Sequence, residues 1–370
     1  MPAFGSAAWI HTRSIMSKPF VTTLVDTYNH QDFIEDAIKS VLNQDFPASE
    51  TEILVVDDGS TDNTPEIVRK FRPHVRLLRK NNGGQASAFN AGIPEARGEI
   101  VAFLDGDDWW ASGKLTAVTE AFSANAGVGL VGHGITEVYQ DGRQRTEVLR
   151  EVSRFRIASI EEAKIFRTRR CFLGTSRMAY RRETLRQIGY VPESLKFEAD
   201  EYLFTLAGLF ADVMILPESL TFYRLHERNL FQLTSGDSQG IRRKQQILVA
   251  LAQSLKEKFK QSGVSSGIAK TILECVGVEA DVLRLVVDSG FPWETVSTEL
   301  RIMRVFHSDA SIWQYVFSCL RLIPALLLPS STYYRWRRQL SLLTFYQGFR
   351  RKLLPFPVPS HVERLEKRAP

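Results

Sequence analysis

The chain has 370 residues, 44% of them hydrophobic and 24% charged. That length and balance allow a large buried core and more than one domain, and they exclude a fibrous repeat, a disulfide-stapled miniprotein or a wholly disordered chain. A net charge of +5 suits an anionic partner without naming one, and Cys171, Cys275 and Cys319 lie far apart with no CxxC spacing, as expected of reduced cytosolic thiols rather than a zinc site.

Residues 1–15 lack a basic start and a long apolar run, so residues 1–17 are expected to form a flexible extension rather than a signal peptide. Val21–Val25 is apolar and β-branched, the pattern of a buried strand. Phe33, Ala37, Ile38, Val41 and Leu42 then recur at helical spacing, and Ile53–Val56 is a second strand. Thr64-Pro65-Glu66 predicts a helix start, with Thr64 as cap, Pro65 at the first helical position and Glu66 at the positive end of the dipole. Val75–Leu78 is a third strand; Ala86, Phe89, Ile93 and Ala96 make a helical stripe; Ile100–Leu104 is a fourth strand that runs straight into Asp105-Gly106-Asp107-Asp108. Strands separated by single helices predict an α/β fold with a mostly parallel sheet flanked by helices. Such sheets bind ligands at the carboxyl ends of their strands. Asp26–Asn29, Asp57-Asp58 and Asp105–Asp108 all fall there.

Gly127–Gly132 fits GxGxxG, but it follows a helical pattern (Leu115–Phe122) and leads into a strand-like run (Val128–Tyr139), the reverse of a dinucleotide site. No GxxxxGK[ST], GxSxG or HExxH sequence occurs. Residues 240–310 read as helical. Ile312–Leu328 is apolar but broken by Arg321 and Pro324, short of the roughly 20 residues that span a bilayer. Beside it, Tyr333, Tyr334, Arg335, Trp336, Arg337 and Arg338, followed by Arg350, Arg351 and Lys352, combine rings with positive charge. That pattern suits a membrane interface better than nucleic acid, with a helical bundle packed on the rest of the chain as the alternative.

Asp105, Asp107 and Asp108 put three carboxylates in four residues. Held together at a strand end, they repel each other unless something positive compensates, and Mg²⁺ or Mn²⁺ shared with substrate phosphates meets that need. A solvated acidic turn is the alternative. The second acidic strand end, Val55-Val56-Asp57-Asp58-Gly59-Ser60, weighs against it, because a carboxylate there suits the N–H donors of a nucleobase.

With these pieces in order, the chain resembles glycosyltransferase family 2, which has the GT-A fold and inverts the sugar configuration. The resemblance rests on VDTYN (25–29), VLNQ (41–44), VVDDGSTDNT (55–64), NNGGQASAFNAGIPEARGEIVAFLDGDDWW (81–110) and LGTSRMAYRRETLRQIGY (173–190), and covers roughly residues 20–230. It implies that Asp58, with Asp57 beside it, recognises the base, and that Tyr28 flanks it. Asp105 is implied near the ribose, Asp107 as metal ligand, and Asp108 as its support or a donor-sugar contact. Gly84 and Gln85 resemble the donor-contacting loop and Asn90 a residue of the following helix. Asp26 departs from the family, which usually has Pro or a small residue there, and adds a carboxylate near the base pocket.

The family's general base is usually the Asp of a Glu-Asp pair. Here the pair reads Asp200-Glu201; residue type favours Asp200, and the apolar residues that follow favour Glu201. Tyr223-Arg224-Leu225-His226 resembles the family's YRxH element, which implies that Arg224 neutralises diphosphate and His226 completes the metal shell. The resemblance thus implies a catalytic domain over 18–235, a helical region over 236–355 and a flexible tail over 356–370. It implies a Mg²⁺- or Mn²⁺-dependent transfer from a nucleotide-sugar, UDP-linked, to a saccharide or glycolipid acceptor, with no nucleic acid involved. The expected location is the cytoplasm, with peripheral contact at the inner face of the plasma membrane through the C-terminal region. A catalytically inactive nucleotide-sugar-binding scaffold is one alternative. A nucleotidyltransferase is another, but it would need a basic Gly-rich loop where Asp26-Thr27-Tyr28-Asn29 stands.

Overall fold

The computed structural model describes residues 21–342, except 148, 168–172, 227–228, 230–237, 289, 307–315, 317–318 and 321. The expected N-terminal extension, the C-terminal tail, Cys171 and the basic residues Arg350, Arg351 and Lys352 lie outside the described residues.

Four parallel strands form one half of the sheet: β1 (Val21–Thr27), β2 (Thr51–Asp57), β3 (Val75–Arg79) and β4 (Ile100–Asp105), in the order β3-β2-β1-β4. Their connections are α1 (Ile34–Leu42), α2 (Thr64–Arg69) and α3 (Gln85–Glu95). Because helices cover both faces, β1, β2 and β4 are buried on both sides and largely apolar rather than alternating, whereas β3 at the sheet edge carries Arg76 and Arg79. Leu24 joins the core on one face and Val25 that on the other; Val101 and Phe103 side with Leu24, and Ile100, Ala102 and Leu104 with Val25. Helix α1 buries Ile34, Ala37, Ile38 and Val41, a single stripe at 3.6-residue spacing.

After β5 (Trp109–Trp110) and α4 (Lys114–Ala124), the sheet continues through β6 (Val128–Val138), β7 (Gln144–Thr146), β8 (Ser153–Phe155), β9 (Met178–Arg181) and β10 (Asp212–Arg224). Strand β9 lies antiparallel between β4 and β6, and β6 pairs parallel with β10. The sheet is therefore mixed, with a parallel majority along its main path. Gly127 lies in the turn before β6, and Gly129 and Gly132 are strand glycines: a side chain at Gly132 would meet Leu173 at 2.3 Å. Thr64 differs from expectation. Asn63 holds the cap position of α2, and the Thr64 hydroxyl instead accepts the His30 backbone N–H at 2.9 Å, tying the β1 loop to the β2 loop.

Helices α5 (Ile160–Arg167), α6 (Arg182–Ile188) and α7 (Ala199–Phe210) lead to the C-terminal helices α8 (Ser238–Gln261), α9 (Ser266–Val287), α10 (Pro292–Phe306), α11 (Leu322–Leu327) and α12 (Ser330–Leu342). Leu248, Leu251, Leu255 and Phe259 of α8 and Ile272 and Val276 of α9 are buried in the same core as Phe103, Tyr202 and Leu206. Each such burial stabilises by about 1.5–3 kcal/mol, so α8 and α9 are packed onto the sheet layer. A smaller cluster joins α9 to the later helices through Cys275, Leu285, Ile302 and Tyr333.

Candidate active site

The acidic stretches meet at the carboxyl edge of the parallel strands. Asp26 on β1 stands in register with Asp105 on β4. The Asp26 carbonyl accepts the Gly106 N–H at 2.9 Å, which turns the chain sharply after β4. Glycine is required at 106 by close approach: a side chain would meet Thr27 Oγ1 at 2.6 Å and His30 Nδ1 at 2.8 Å.

The crowded carboxylates perturb one another. Burial, then the charge of Asp107, pushes Asp26 up to about 8, with smaller contributions from Asp200 and Asp58. Asp105 is raised well above the usual carboxylate range by burial, then by Asp26 and Asp108. Asp108 is raised by burial, then by Asp107, against hydrogen bonds from Ser176 Oγ (2.7 Å) and the Arg224 N–H (3.0 Å). Asp107 goes the other way. Burial raises it, but His30 and His226 outweigh that and hold it below its ordinary value. Its Oδ2 lies 3.1 Å from His226 Nε2 and 3.9 Å from His30 Nε2.

Arg224 closes this edge. Its guanidinium lies between the rings of Phe33 and Trp109, 4.9 and 4.5 Å from their centres, donates to the Asp107 carbonyl at 3.0 Å and pairs with Asp36 at 2.8 Å. His226 stacks on Phe33, one of the two rings that hold Arg224, at 4.5 Å between ring centres.

Asp58 is buried, and both its oxygens are engaged by the loop after β3. Lys80 Nζ lies 2.6 Å from Oδ1, the Gly83 N–H reaches both oxygens, and the Gly84 N–H donates to Oδ2 at 2.7 Å. Gly84 sits at φ +85°, and a side chain there would meet the Lys196 backbone at 2.9 Å. Asp57 is fully buried, accepts the Ser60 N–H at 2.9 Å and lies 3.0 Å from Arg79 Nε. Tyr28, 43% exposed, stands open beside them.

Gln85 joins two parts of the site. Its amide donates to Thr175 Oγ1 at 2.9 Å and accepts the Ala199 N–H at 3.2 Å, at the first residue of α7. Asn90 is further back, and its amide clips the Val191 backbone in both directions, at 2.7 and 2.9 Å. Asp200 stands in the first turn of α7, pushed up to about 7 by burial and then by Glu198. Glu198 occupies a left-handed conformation (φ 62°) and pairs with buried Lys244 of α8 at 3.2 Å. Glu201 is buried beside Asp200.

The residues present fit a hard divalent cation in kind: carboxylates, an imidazole, and a buried Asp26 Oδ1 that has no hydrogen-bond partner. Among the described residues, no three acidic, histidine or cysteine side chains form a ready coordination cluster.

Sequence reasoning missed Ser176, Lys114 and His30. His30 and Ser176 are single polar residues in loops, and Lys114 opens a helix; only the fold brings them to the acidic edge.

Against this geometry, residues 22–189 match the family model of glycosyl transferase family 2. The chain carries a glycosyl transferase family 2 domain. An uncharacterized glycosyltransferase of Nostoc sp. is 32% identical over 216 residues, covering 56% of this chain and 66% of that protein. The poly(ribitol-phosphate) beta-N-acetylglucosaminyltransferase TarS of Staphylococcus aureus is 41% identical over 92 residues, 24% of this chain and 16% of TarS. The chain thus spans no more than 66% of either relative's length. The structure of TarS 1–349 with UDP-GlcNAc superposes over 77% of this chain and 89% of that one, with a TM-score of 0.50 and 20% identity. The mannosyltransferase PcManGT of Pyrobaculum calidifontis, solved with GDP-Man and Mn²⁺, covers 95% of this chain and 86% of its own, with a TM-score of 0.52 and 21% identity. These likenesses give the family 2 domain the GT-A fold.

Proposed function

We propose that the chain is a metal-dependent, inverting glycosyltransferase that moves a sugar from a nucleotide-sugar, UDP-linked, to a hydroxyl of a saccharide or lipid-linked glycan. One observation carries the reading. Asp26, Asp105, Asp107 and Asp108 crowd one strand edge, and Asp200 stands near enough to raise both Asp26 and Asp105.

Each residue then has a task. Asp107, with His226 beside it, would hold the cation, and Asp105 would face the ribose. There Mg²⁺ or Mn²⁺ would supply positive charge against that growing on the departing diphosphate. Arg224 adds a fixed positive charge at the same edge, where its ring sandwich keeps it from swinging away. Tyr28 offers an open ring to the base. Asp57 and Asp58 serve the base pocket by ordering the loop through Gly84 and Gln85, since both Asp58 oxygens are engaged there. Asn90 supports the same region from behind. Asp200, raised to about 7, takes the proton of the acceptor hydroxyl, with Glu201 as the alternative base. Attack from the Asp200 side while the diphosphate leaves toward Asp107 inverts the sugar.

The catalytic unit is read as residues 18–235 and the helical region as 236–355. Among the described residues no helix is long and apolar enough to cross a membrane. Exposed Phe291 before α10, with Trp293, Leu326 and Leu327 on the C-terminal helices, supports peripheral contact with the cytoplasmic face of a membrane. The activity named for TarS supports a cell-surface polymer as acceptor.

The test is a panel of UDP- and GDP-sugars given to the full chain with Mn²⁺ or with a chelator. Release of nucleoside diphosphate, abolished by the chelator, and an inverted anomeric configuration in the product are expected. Retention of configuration, or equal release with chelator, would refute this mechanism.

A further inference from the structure

Ser176 belongs to a buried 3-10 turn, Thr175–Arg177, that leads into β9. Its hydroxyl accepts the Asp105 N–H at 3.0 Å and donates to Asp108 Oδ2 at 2.7 Å. A serine has one proton to give, and the distances assign it to Asp108, since Asp105 Oδ2 is farther, at 3.3 Å. The other Asp108 oxygen accepts the Arg224 N–H, so Asp108 is held at both ends.

The Ser176 carbonyl is held just as firmly. It accepts from Lys114 Nζ at 2.7 Å, Thr221 Oγ1 at 2.7 Å and Trp110 Nε1 at 3.0 Å. A carbonyl has two lone-pair directions, so three donors saturate it and leave the peptide no room to rotate. Lys114 is fully buried, with its ammonium 3.6 Å from the centre of the Trp110 ring. An amine is kept in such a place only when it is hydrogen-bonded there. One residue earlier, Thr175 Oγ1 receives the Gln85 amide that also accepts from the head of α7. The turn therefore touches the acidic edge and the helix of Asp200 alike.

We propose that Ser176 is a positioning residue of the donor site: its hydroxyl fixes Asp105 and Asp108, and Lys114, acting through the Ser176 carbonyl, fixes that hydroxyl. This inference rests on the donor reading above. Asp108 adjoins Asp107 in the chain, and partners that orient the groups around a metal site are worth about 10- to 100-fold in affinity or activity.

The experiment is calorimetric titration of the full chain with UDP and with GDP, each with Mn²⁺, beside the unliganded melting midpoint. Ser176→Ala is expected to weaken nucleotide binding by roughly 10- to 100-fold, and Ser176→Thr, which keeps the hydroxyl, to restore most of it. Lys114→Met is expected to weaken binding less, because Trp110 and Thr221 still hold the carbonyl. A role in folding alone would lower the midpoint and leave the affinity of the folded protein unchanged. Wild-type affinity in Ser176→Ala would overturn the proposal; if that variant does not fold, wild-type affinity in Lys114→Met does so. Failure of the wild-type chain to bind either nucleotide would instead sink the donor reading, and this inference with it.

Discussion

Asp26 and Asp105 stand side by side on neighbouring parallel strands, two carboxylates in register at one edge of the sheet. Adjacent strands are roughly 4.8 Å apart. Burial and then the charge of Asp26 raise Asp105 well above the usual carboxylate range, while burial and then the charge of Asp107 push Asp26 up to about 8.

The first prediction follows from the raised Asp26 carboxyl. A carboxyl whose folded pKa is raised burdens the fold: the penalty begins above its unfolded value and grows until pH passes the folded value. For Asp26 that window runs from the ordinary 3.8 to about 8. Asp26→Asn mimics the protonated form, so the metal-free variant should be more stable than wild type at pH 8 by at least about 1 kcal/mol, with the difference vanishing toward pH 4. Chemical denaturation at the two pH values checks this. Equal stabilities at pH 8 would contradict it.

Asp200 gives a pH dependence of opposite use. As a general base it must be deprotonated, so kcat should rise with pH through a midpoint near 7. Asp200→Asn should cut kcat by about 10²- to 10⁴-fold while leaving nucleotide binding in place. Glu201→Gln should do less. If Glu201→Gln is the more damaging change, the base assignment moves one residue along α7.

Much of this arrangement could be read from residue order alone. The strands at 51–57 and 100–105 carry the apolar runs Ile53–Val56 and Ile100–Leu104 because both sheet faces are covered, and the acidic ends of β1, β2 and β4 follow directly. What could not be read were contacts made by single residues from distant segments. Ser176 lies within the family-like stretch 173–190, but neither that stretch nor the sequence around Lys114 shows that the Ser176 hydroxyl and carbonyl meet Asp108 and the Lys114 ammonium. Nor does VVDDGS reveal that Asp58 turns its oxygens to Lys80, Gly83 and Gly84. The Thr64 cap went astray for the same reason: a partner in the β1 loop claimed its hydroxyl.

The buried pair between Lys244 and Glu198 ties α8 to the start of α7, the helix that carries Asp200. Lys244→Met leaves Glu198 buried without that partner, and should cost about 3–5 kcal/mol. Combining it with Glu198→Gln should recover a large part of the loss. Urea unfolding of the single and double variants decides the matter, and strictly additive losses would show that the two groups do not interact.

Loop order around Asp58 predicts a distinct outcome. Asp58→Ala removes the carboxylate partner of Lys80 and strands the Gly83 and Gly84 N–H groups, at a cost of about 1–3 kcal/mol. It should also raise the KM for the donor more than it lowers kcat, because the acidic edge and Asp200 remain. A fall in kcat with KM unchanged would place Asp58 in the chemical step instead.

The central claim is that Asp107 holds a divalent cation against the donor's diphosphate, and thermal unfolding tests it most directly. UDP with Mn²⁺ should raise the melting midpoint of the wild-type chain well beyond either component alone, since binding to the folded state stabilises it by mass action. Asp107→Ala should show no such rise. An equal rise in that variant, or none in the wild type, would contradict the account.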